Sequence, residues 1–425
     1  MKTGLKTFTL WLPVWIFLVY ATLIWRSSQL CAAETSFRPS LAVSEEMTDN
    51  FFEQSNNKLS EYTTRITPGA VLRYQSPFWT WDTSYAFEYR YYAMDNKGDE
   101  YNHTGALKGA VTLLDNFLLL DLSNTFHRVT LDVARNAATE SSLFLNQTDQ
   151  NTAIISPYFL WRLRGDSSLK TGYRFTDTRY WDAAGIEKQE HGGFADLSHA
   201  VTAKLSLTGS YAFTRLESLP SSFNKHDLSG GFKYEYADKS FISAQFGNSW
   251  QLFSDGRDVS YPFWSAALTH NFNVAVVTLE TKSASTENPL SVSTKENSYS
   301  LKLDKLLDRG ALGLAATYSE FFNTATDVME QHKIGLSATG RYEVLQNLSA
   351  NISANGEHFG SSTATTTATT SYPYRFTCSA GASYLLNNDL TLGVTYTYIV
   401  QRSDLDSAAG ANEINKGVVE VKKLF

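Results

Sequence analysis

Along most of this chain, apolar or aromatic side chains fall at every second position with small polar or charged residues between them. A period of two belongs to strands, and helical spacing does not account for it. From Tyr372, one face collects Tyr374, Phe376, Cys378, Ala380, Ala382 and Tyr384, and the other Arg375, Thr377, Ser379, Gly381 and Ser383. The next segment sets Leu390, Leu392, Val394, Tyr396 and Tyr398 against Thr391, Gly393, Thr395 and Thr397. The same partition separates Ile334, Leu336, Ala338 and Tyr342 from Lys333, Gly335, Ser337, Thr339 and Arg341, and Leu205, Leu207, Gly209, Tyr211 and Phe213 from Ser206, Thr208, Ser210, Ala212 and Thr214. Upstream, Phe87, Tyr89 and Tyr91 alternate with Glu88, Arg90 and Tyr92.

A soluble β-sandwich would also alternate. Length separates the two: globular strands run to about five or six residues, whereas these runs often reach ten, which a tilted strand needs to cross a bilayer. Connections alternate as well. Short ones such as Asp115-Asn116, Arg164-Gly165-Asp166, Ala237-Asp238-Lys239, Asn271-Phe272-Asn273, Asp308-Arg309-Gly310 and Asn387-Asn388-Asp389 lie between longer polar stretches near 47–60, 94–103, 130–150, 180–190, 216–225, 284–293, 359–371 and 403–412. Tight periplasmic turns and longer external loops mark outer-membrane barrels. With the brief connections near 254–259 and 323–329 there are ten outer loops, hence an all-β, transmembrane, antiparallel up-and-down barrel of about 20 strands, with 16 or 18 also compatible.

The segment before the first strand reads as a secretory signal. Lys2 and Lys6 form a basic start, Phe8 to Trp25 is apolar, and Cys31-Ala32-Ala33 offers a cleavage site before Glu34. Two other readings are an uncleaved anchor, since the apolar run is long for a signal, and a lipoprotein signal, against which Leu30 stands before Cys31. The expected division is 1–33 signal peptide and 34–425 barrel. After Glu34 no apolar run is long enough for a membrane helix, so a spanning chain must close its strands on themselves.

Composition narrows the chemistry. Loss of Lys2, Lys6 and Arg26 moves the formal charge from −7 to −10, which gives no reason to expect nucleic acid as a partner. Cys378 alone remains after cleavage, so one mature chain holds no disulfide framework, zinc cluster or Cys-x-x-Cys-His haem site, and no cofactor is expected. The 23 Tyr, 26 Phe and 9 Trp suit interfacial belts, with Phe78-Trp79-Thr80-Trp81 and Tyr158-Phe159-Leu160-Trp161 near inferred strand ends. His103, His127, His191, His199, His226, His270, His332 and His358 lack metal-ligand spacing, and no Ser-His-acid set stands out. The chain is therefore not expected to be an enzyme.

The face opposite the aromatics carries Ser, Thr, Gly and Asn with scattered charges: Glu88, Arg90, Asp121, Lys170, Arg174, Lys233, Glu235, Lys302, Asp304, Lys333, Arg341 and Arg375. These are the expected lumen-lining positions. Arg90, Arg174, Arg341 and Arg375 could line an anion or acidic-polysaccharide path, or simply be compensated by neighbouring acids. Connection 130–150, with Asp132, Arg135, Glu140 and Asp149, is the best candidate to fold inward and narrow the bore, a solvated exterior loop being the plainer reading. Asn102-His103-Thr104 matches a glycosylation sequon that an exported bacterial chain has no use for, and Ser361–Thr370 reads as an outer loop.

The chain ends with Val419, Val421, Lys423 and Phe425 on one face, which is similar to the C-terminal signal read by the barrel-assembly machinery, although Lys423 stands where an aromatic is usual. Pro39-Ser40-Leu41-Ala42-Val43-Ser44-Glu45-Glu46-Met47-Thr48-Asp49-Asn50-Phe51-Phe52, then Thr64-Arg65-Ile66-Thr67-Pro68-Gly69, Tyr89-Arg90-Tyr91-Tyr92, and finally Tyr396-Thr397-Tyr398 with Arg402 and Ser403 carry a further likeness. Together they resemble outer-membrane β-barrel proteins of polysaccharide-producing bacteria, including those associated with exosortase and PEP-CTERM loci. The resemblance frames the mature chain, and the middle carries no motif specific to it. It implies a barrel of the cell envelope linked to exopolysaccharide export, with outer-membrane lipid, the assembly machinery and polysaccharide-export proteins as partners, and it supplies no catalytic residues. The expected function is a polar-lumen porin or channel; the alternatives are a scaffold sheathing a lipoprotein or multihaem cytochrome, and a barrel enzyme.

Overall fold

A computed structural model of the chain describes residues 33–114, 116–134, 147–163, 165–181, 184–361, 372–403 and 411–425. All but the last residue of the expected signal segment lies outside them, as do Arg135, Glu140 and the tract after Ser361 as far as residue 371. The strands are β1 (Glu34–Thr48), β2 (Glu61–Gln75), β3 (Trp79–Tyr92), β4 (Glu100–Leu113), β5 (Leu118–Thr130), β6 (Gln147–Arg162), β7 (Ser167–Tyr180), β8 (Lys188–Ala200), β9 (Leu205–Glu217) and β10 (Phe223–Ala237). They continue as β11 (Ser240–Phe253), β12 (Asp258–Asn271), β13 (Val276–Thr286), β14 (Thr294–Leu307), β15 (Gly310–Asn323), β16 (Val328–Leu345), β17 (Leu348–Ser361), β18 (Tyr374–Asn387), β19 (Leu390–Arg402) and β20 (Asn412–Leu424).

Each strand pairs antiparallel with the next, and β20 returns to β1 through Ser40↔Leu424 to Thr48↔Lys416. The sheet is thus a closed 20-stranded barrel, the number given by the loop count. Closure leaves no strand edge unpaired, which lets strands cross hydrocarbon without exposing backbone polar groups. At one end the connections are tight, and left-handed residues bend several of them: Asn273 (φ 64), Lys239 (φ 51) and Gly165 (φ 76). At the other end lie the longer connections, including 49–60, 93–99 and 287–293. The long-loop end is the outer end and the tight-turn end the periplasmic one.

The register decides which side chains share a face. On β9 one face runs Leu205, Leu207, Gly209, Tyr211 and Phe213, meeting charge only at Arg215 and Glu217 by the outer loop. On β18 the same face, Tyr374 to Tyr384 at alternate positions, carries no charge. This surface leaves large hydrophobics accessible, with Phe246 and Ile352 each at 63% and Leu336 at 60%. It faces outward, because residues of the other phase meet across the barrel: Ala134, just after β5, packs with Phe321 of β15 and Phe359 of β17. An apolar exterior of this kind places the protein in the outer membrane, with lipid around it.

Aromatic rings mark both rims. At the periplasmic rim, Tyr74, Trp79 and Trp81 stack edge to face with centroids 5.5 and 6.1 Å apart, and Phe117 meets Trp161 at 4.8 Å. Toward the outer rim lie Tyr–His pairs. Tyr85, Tyr173 and Tyr211 reach His103, His191 and His226 at 2.7, 2.6 and 3.0 Å, each bridging two neighbouring strands. The expected clusters at 78–81 and 158–161 do sit at strand ends, with one correction. Tyr158 belongs to the inward phase, because the strand alternation that sends Phe159 and Trp161 out turns Tyr158 in.

This assignment of faces sets an asymmetric cost. Ile352→Arg places a cation in hydrocarbon and is expected to destabilise the barrel by about 2–4 kcal/mol, whereas Ser353→Arg, one residue on and facing water, is expected to cost under about 1 kcal/mol. Urea unfolding in lipid vesicles, followed by tryptophan fluorescence, measures both.

Candidate functional site

All twelve expected lumen positions fall on the inward phase, Asp121 among them toward the periplasmic end of β5, but they form two tiers and not one ring. Glu88, Arg90, Lys333 and Arg375 lie near the outer end, while Lys170, Lys233, Glu235, Lys302, Asp304 and Arg341 lie toward the periplasmic end, with Arg174 between.

The outer tier is largely compensated. Arg90 donates from Nε to Glu88 at 2.6 Å and lies 3.7 Å from Glu100, Lys333 pairs with Glu357 at 2.6 Å, and Arg65 pairs with Glu46. Arg375 stands opposite Glu357 across β17–β18 and is buried. Of the four arginines considered as one anion path, Arg90 therefore belongs to the wall's own ion pairing, and Arg375 is buried in the wall across from Glu357. They sit where the strand ends crowd, and a cation there needs an acid beside it.

The inner tier differs. Lys170, Gly172 and Arg174 share the inward face of β7, and Gly172 stands opposite Tyr158 on one side and Phe194 on the other. A β-carbon on Gly172 would come within 2.7 Å of the Phe194 ring, so the missing side chain is what lets that ring lie against the wall. Lys170 Nζ then sits 3.7 Å from the Tyr158 ring centroid and 5.6 Å from that of Phe194, and the Arg174 guanidinium 5.2 Å from Phe194. Further round, Lys233 Nζ lies 4.7 Å from the Phe241 ring. Lys170 faces Asp196 across the register, yet Asp196 accepts a hydrogen bond from Ser210 at 2.5 Å and the ammonium turns to the aromatics. Such cation–π contacts hold a cation without neutralising it. At β6 to β8 the periplasmic half of the lumen thus presents flat rings beside Lys170 and Arg174, with the Asp121 carboxylate on the Tyr158 hydroxyl, while further round Lys302 lies 3.8 Å from Glu280.

Above this wall the mouth is narrowed. A round 20-stranded barrel has a backbone diameter of about 40 Å. Yet only four Cα–Cα steps lead from Thr130 to Ala134, a reach of about 14 Å at most, and Ala134 packs with Phe321 of β15 and Phe359 of β17 on the far side of the sheet. The opposing walls therefore approach each other at the outer end. The described start of the 130–150 connection turns inward, fixed by Asp132, whose carboxylate accepts from the Ala134 backbone N–H at 3.0 Å; the reading of this stretch as a solvated exterior loop does not hold for residues 131–134.

A second inward fold is larger and was expected only as an outer loop: the tip of the β13–β14 hairpin. Glu287 pairs with Lys188 Nζ at 2.6 Å and accepts from the Tyr180 hydroxyl at 2.7 Å. Lys188, 3% exposed, also donates to the Asn288 carbonyl at 2.9 Å, and the Ile186 backbone N–H donates to the Pro289 carbonyl at 2.8 Å. Val292 packs on Leu216, Phe223 and Phe253, inward residues of β9, β10 and β11. The tip therefore crosses the inner faces of several strands to reach β7 and β8. Beside it Arg257 bonds Asp255 at 2.7 Å, and that hydrogen bond holds the Asp255 carboxyl below the usual range. Over β19 and β20, connection 49–60 folds in as well: Asn50 Nδ2 donates to Asn412 at 2.8 Å, and Asn412 Nδ2 to the Glu53 carbonyl.

The arrangement is suited to passage and selection. Of the eight histidines only His127 belongs to the inward phase, and among the described residues no cluster of His, Cys, Asp and Glu is set to hold a metal ion.

No family model and no curated protein matches the sequence. Among solved structures the chain is similar to the siderophore receptor PirA from Pseudomonas aeruginosa, at 10% identity and TM-score 0.50, covering 92% of this chain and 80% of that one. It is similar also to the FrpB iron transporter from Neisseria meningitidis in its apoprotein form, at 10% identity and TM-score 0.52 over 91% and 81%. The ferric-catecholate import receptor Fiu from E. coli K12 aligns at 10% identity and TM-score 0.50, over 91% and 81%. At such identities the likeness is one of fold: the protein is a bacterial outer-membrane β-barrel of the architecture that these transport receptors share.

Proposed function

We propose that the protein is an outer-membrane channel for hydrophilic anions, carrying an acidic exopolysaccharide or its fragments from the periplasm outward. The observation that carries this reading is the inner-tier wall of Tyr158, Lys170, Phe194 and Arg174. Sugar rings present C–H faces that pack on flat aromatic surfaces, and uronate or phosphate groups seek cations; this wall offers both where a periplasmic solute first enters. The resemblance to barrels of polysaccharide-producing bacteria agrees with it. The assembly machinery and polysaccharide-export proteins are the partners such a role calls for.

The test is planar-bilayer conductance of the purified barrel with added oligosaccharides. A uronic-acid oligosaccharide on the periplasmic side is expected to block the current at lower concentration than a neutral glucan of equal length. Lys170→Gln with Arg174→Gln is expected to raise the half-blocking concentration by about tenfold, or ~1.4 kcal/mol, and to lower anion selectivity. Equal block by both sugars would reject the reading. Block by a ferric catecholate complex alone would favour uptake of the kind named for the fold neighbours, and a silent barrel with a co-purifying protein would favour a sheath.

The inward hairpin gives a separate expectation. Lys188→Met with Glu287→Gln removes the ion pair holding the β13–β14 tip across the mouth. Open steps of this variant should be larger and more frequent than those of the unaltered protein in the same bilayer, while heat-shifted electrophoretic mobility shows the barrel still closed.

A further inference from the structure

The lipid-facing side holds a shallow, open groove that the channel does not use, of about 590 Å³, on the outward surface of β11 to β16. The register shows how it is built. Ile242, Leu268, Leu279, Leu301, Ala316 and Leu336 stand directly opposite one another on six consecutive strands and form one continuous row. A parallel row lies one step toward the outer end, and there Ala244 and Ala266 replace bulky residues, so the surface sinks between its neighbours. Rows of this kind follow the hydrogen-bonding direction. With strands tilted 35–45° they run at roughly 50° to the membrane normal.

We propose that this groove is a binding site for an acyl chain of an anionic phospholipid of the periplasmic leaflet. It is continuous with the surface that meets hydrocarbon, and an unfilled hollow there would forfeit the dispersion contacts of its lining. A second copy of this chain with its two-fold axis through the groove would not fill it, since two concave patches placed face to face leave a void between them. The leaflet follows from position. Ile242, Leu268 and Leu279 lie within three residues of the periplasmic ends of β11, β12 and β13. The headgroup charge follows from Lys305, which shares the outward phase of Leu301 and Leu303 and lies two residues from the periplasmic end of β14. A chain lying in the groove brings its phosphate to that ammonium. This inference rests on the barrel's place in the membrane and not on the solute it carries.

The full barrel, refolded into vesicles of phosphatidylethanolamine and phosphatidylglycerol and released in mild detergent, is examined by native mass spectrometry. The unaltered protein is expected to retain phosphatidylglycerol. Ala266→Leu with Ala316→Leu, which fills the floor, should reduce retention at least fivefold, and Lys305→Gln should abolish the preference for phosphatidylglycerol over phosphatidylethanolamine. Undiminished retention in the filled variant overturns the proposal. So does lipopolysaccharide displacing the phospholipid when both are offered, or disulfide-linked dimers from Ala266→Cys in a Cys378→Ser background. Should the filled variant fail to fold, spin-labelled phosphatidylglycerol decides on the other two proteins: a smaller motionally restricted fraction with Lys305→Gln supports the site, and equal fractions overturn it.

Discussion

Backbone amides and carbonyls cannot be left unpaired in hydrocarbon, and that requirement governs this molecule. It forces twenty strands to close through the β1–β20 seam, and closure in turn creates an interior wider than side chains alone can fill. The protein then treats the two surfaces in opposite ways. The outer one is uniform, apolar through its middle and aromatic at its rims. The inner one is graded, with infolded chain and more buried ion pairs toward the outside, and more open ion pairs and cations on aromatic rings toward the periplasm.

That gradient has a physical basis. An infolded segment removes water from the wall beneath it, and a cation deprived of water must find an acid or be lost to stability. Lys188 and Arg375 accordingly lie beside acids: Glu287 in one case, and Glu357 directly across the register in the other. Where no chain covers the wall, water supplies the solvation and Lys170 can rest on the Tyr158 ring in place of a direct ion pair with Asp196, its partner across the register. The same residue types thus serve as structural supports in one tier and as accessible charge in the other.

Much of the fold was legible because alternation and turn chemistry are local. A period of two survives any tertiary arrangement, and Asn271-Phe272-Asn273 announces a turn by its own side chains, Asn271 Oδ1 accepting from the Asn273 backbone at 3.0 Å. The turn at Val201 to Lys204 was harder to see, for it has no Gly, Pro or Asn; it depends on the Thr202 hydroxyl accepting from the Lys204 and Leu205 backbones. Face assignment was legible, whereas height in the membrane was not, so Arg90 and Arg341 read alike although the structure sets them in different tiers. The infolded tip was hidden for a related reason. Nothing in Glu287-Asn288-Pro289 distinguishes a loop reaching into water from one reaching Lys188, ninety-nine residues earlier. Gly172 carries no signal of its own in the sequence, and only its neighbours across two registers reveal why a ring needs it.

The infolded hairpin also alters what the cell shows to its surroundings. A tip tucked against β7 and β8 is withdrawn from antibodies, bacteriophage tails and extracellular proteases. Surveillance from outside therefore meets the neighbouring connections, and sequence drift driven by immune or phage pressure should gather on those, leaving the stretch around Pro289 comparatively constant.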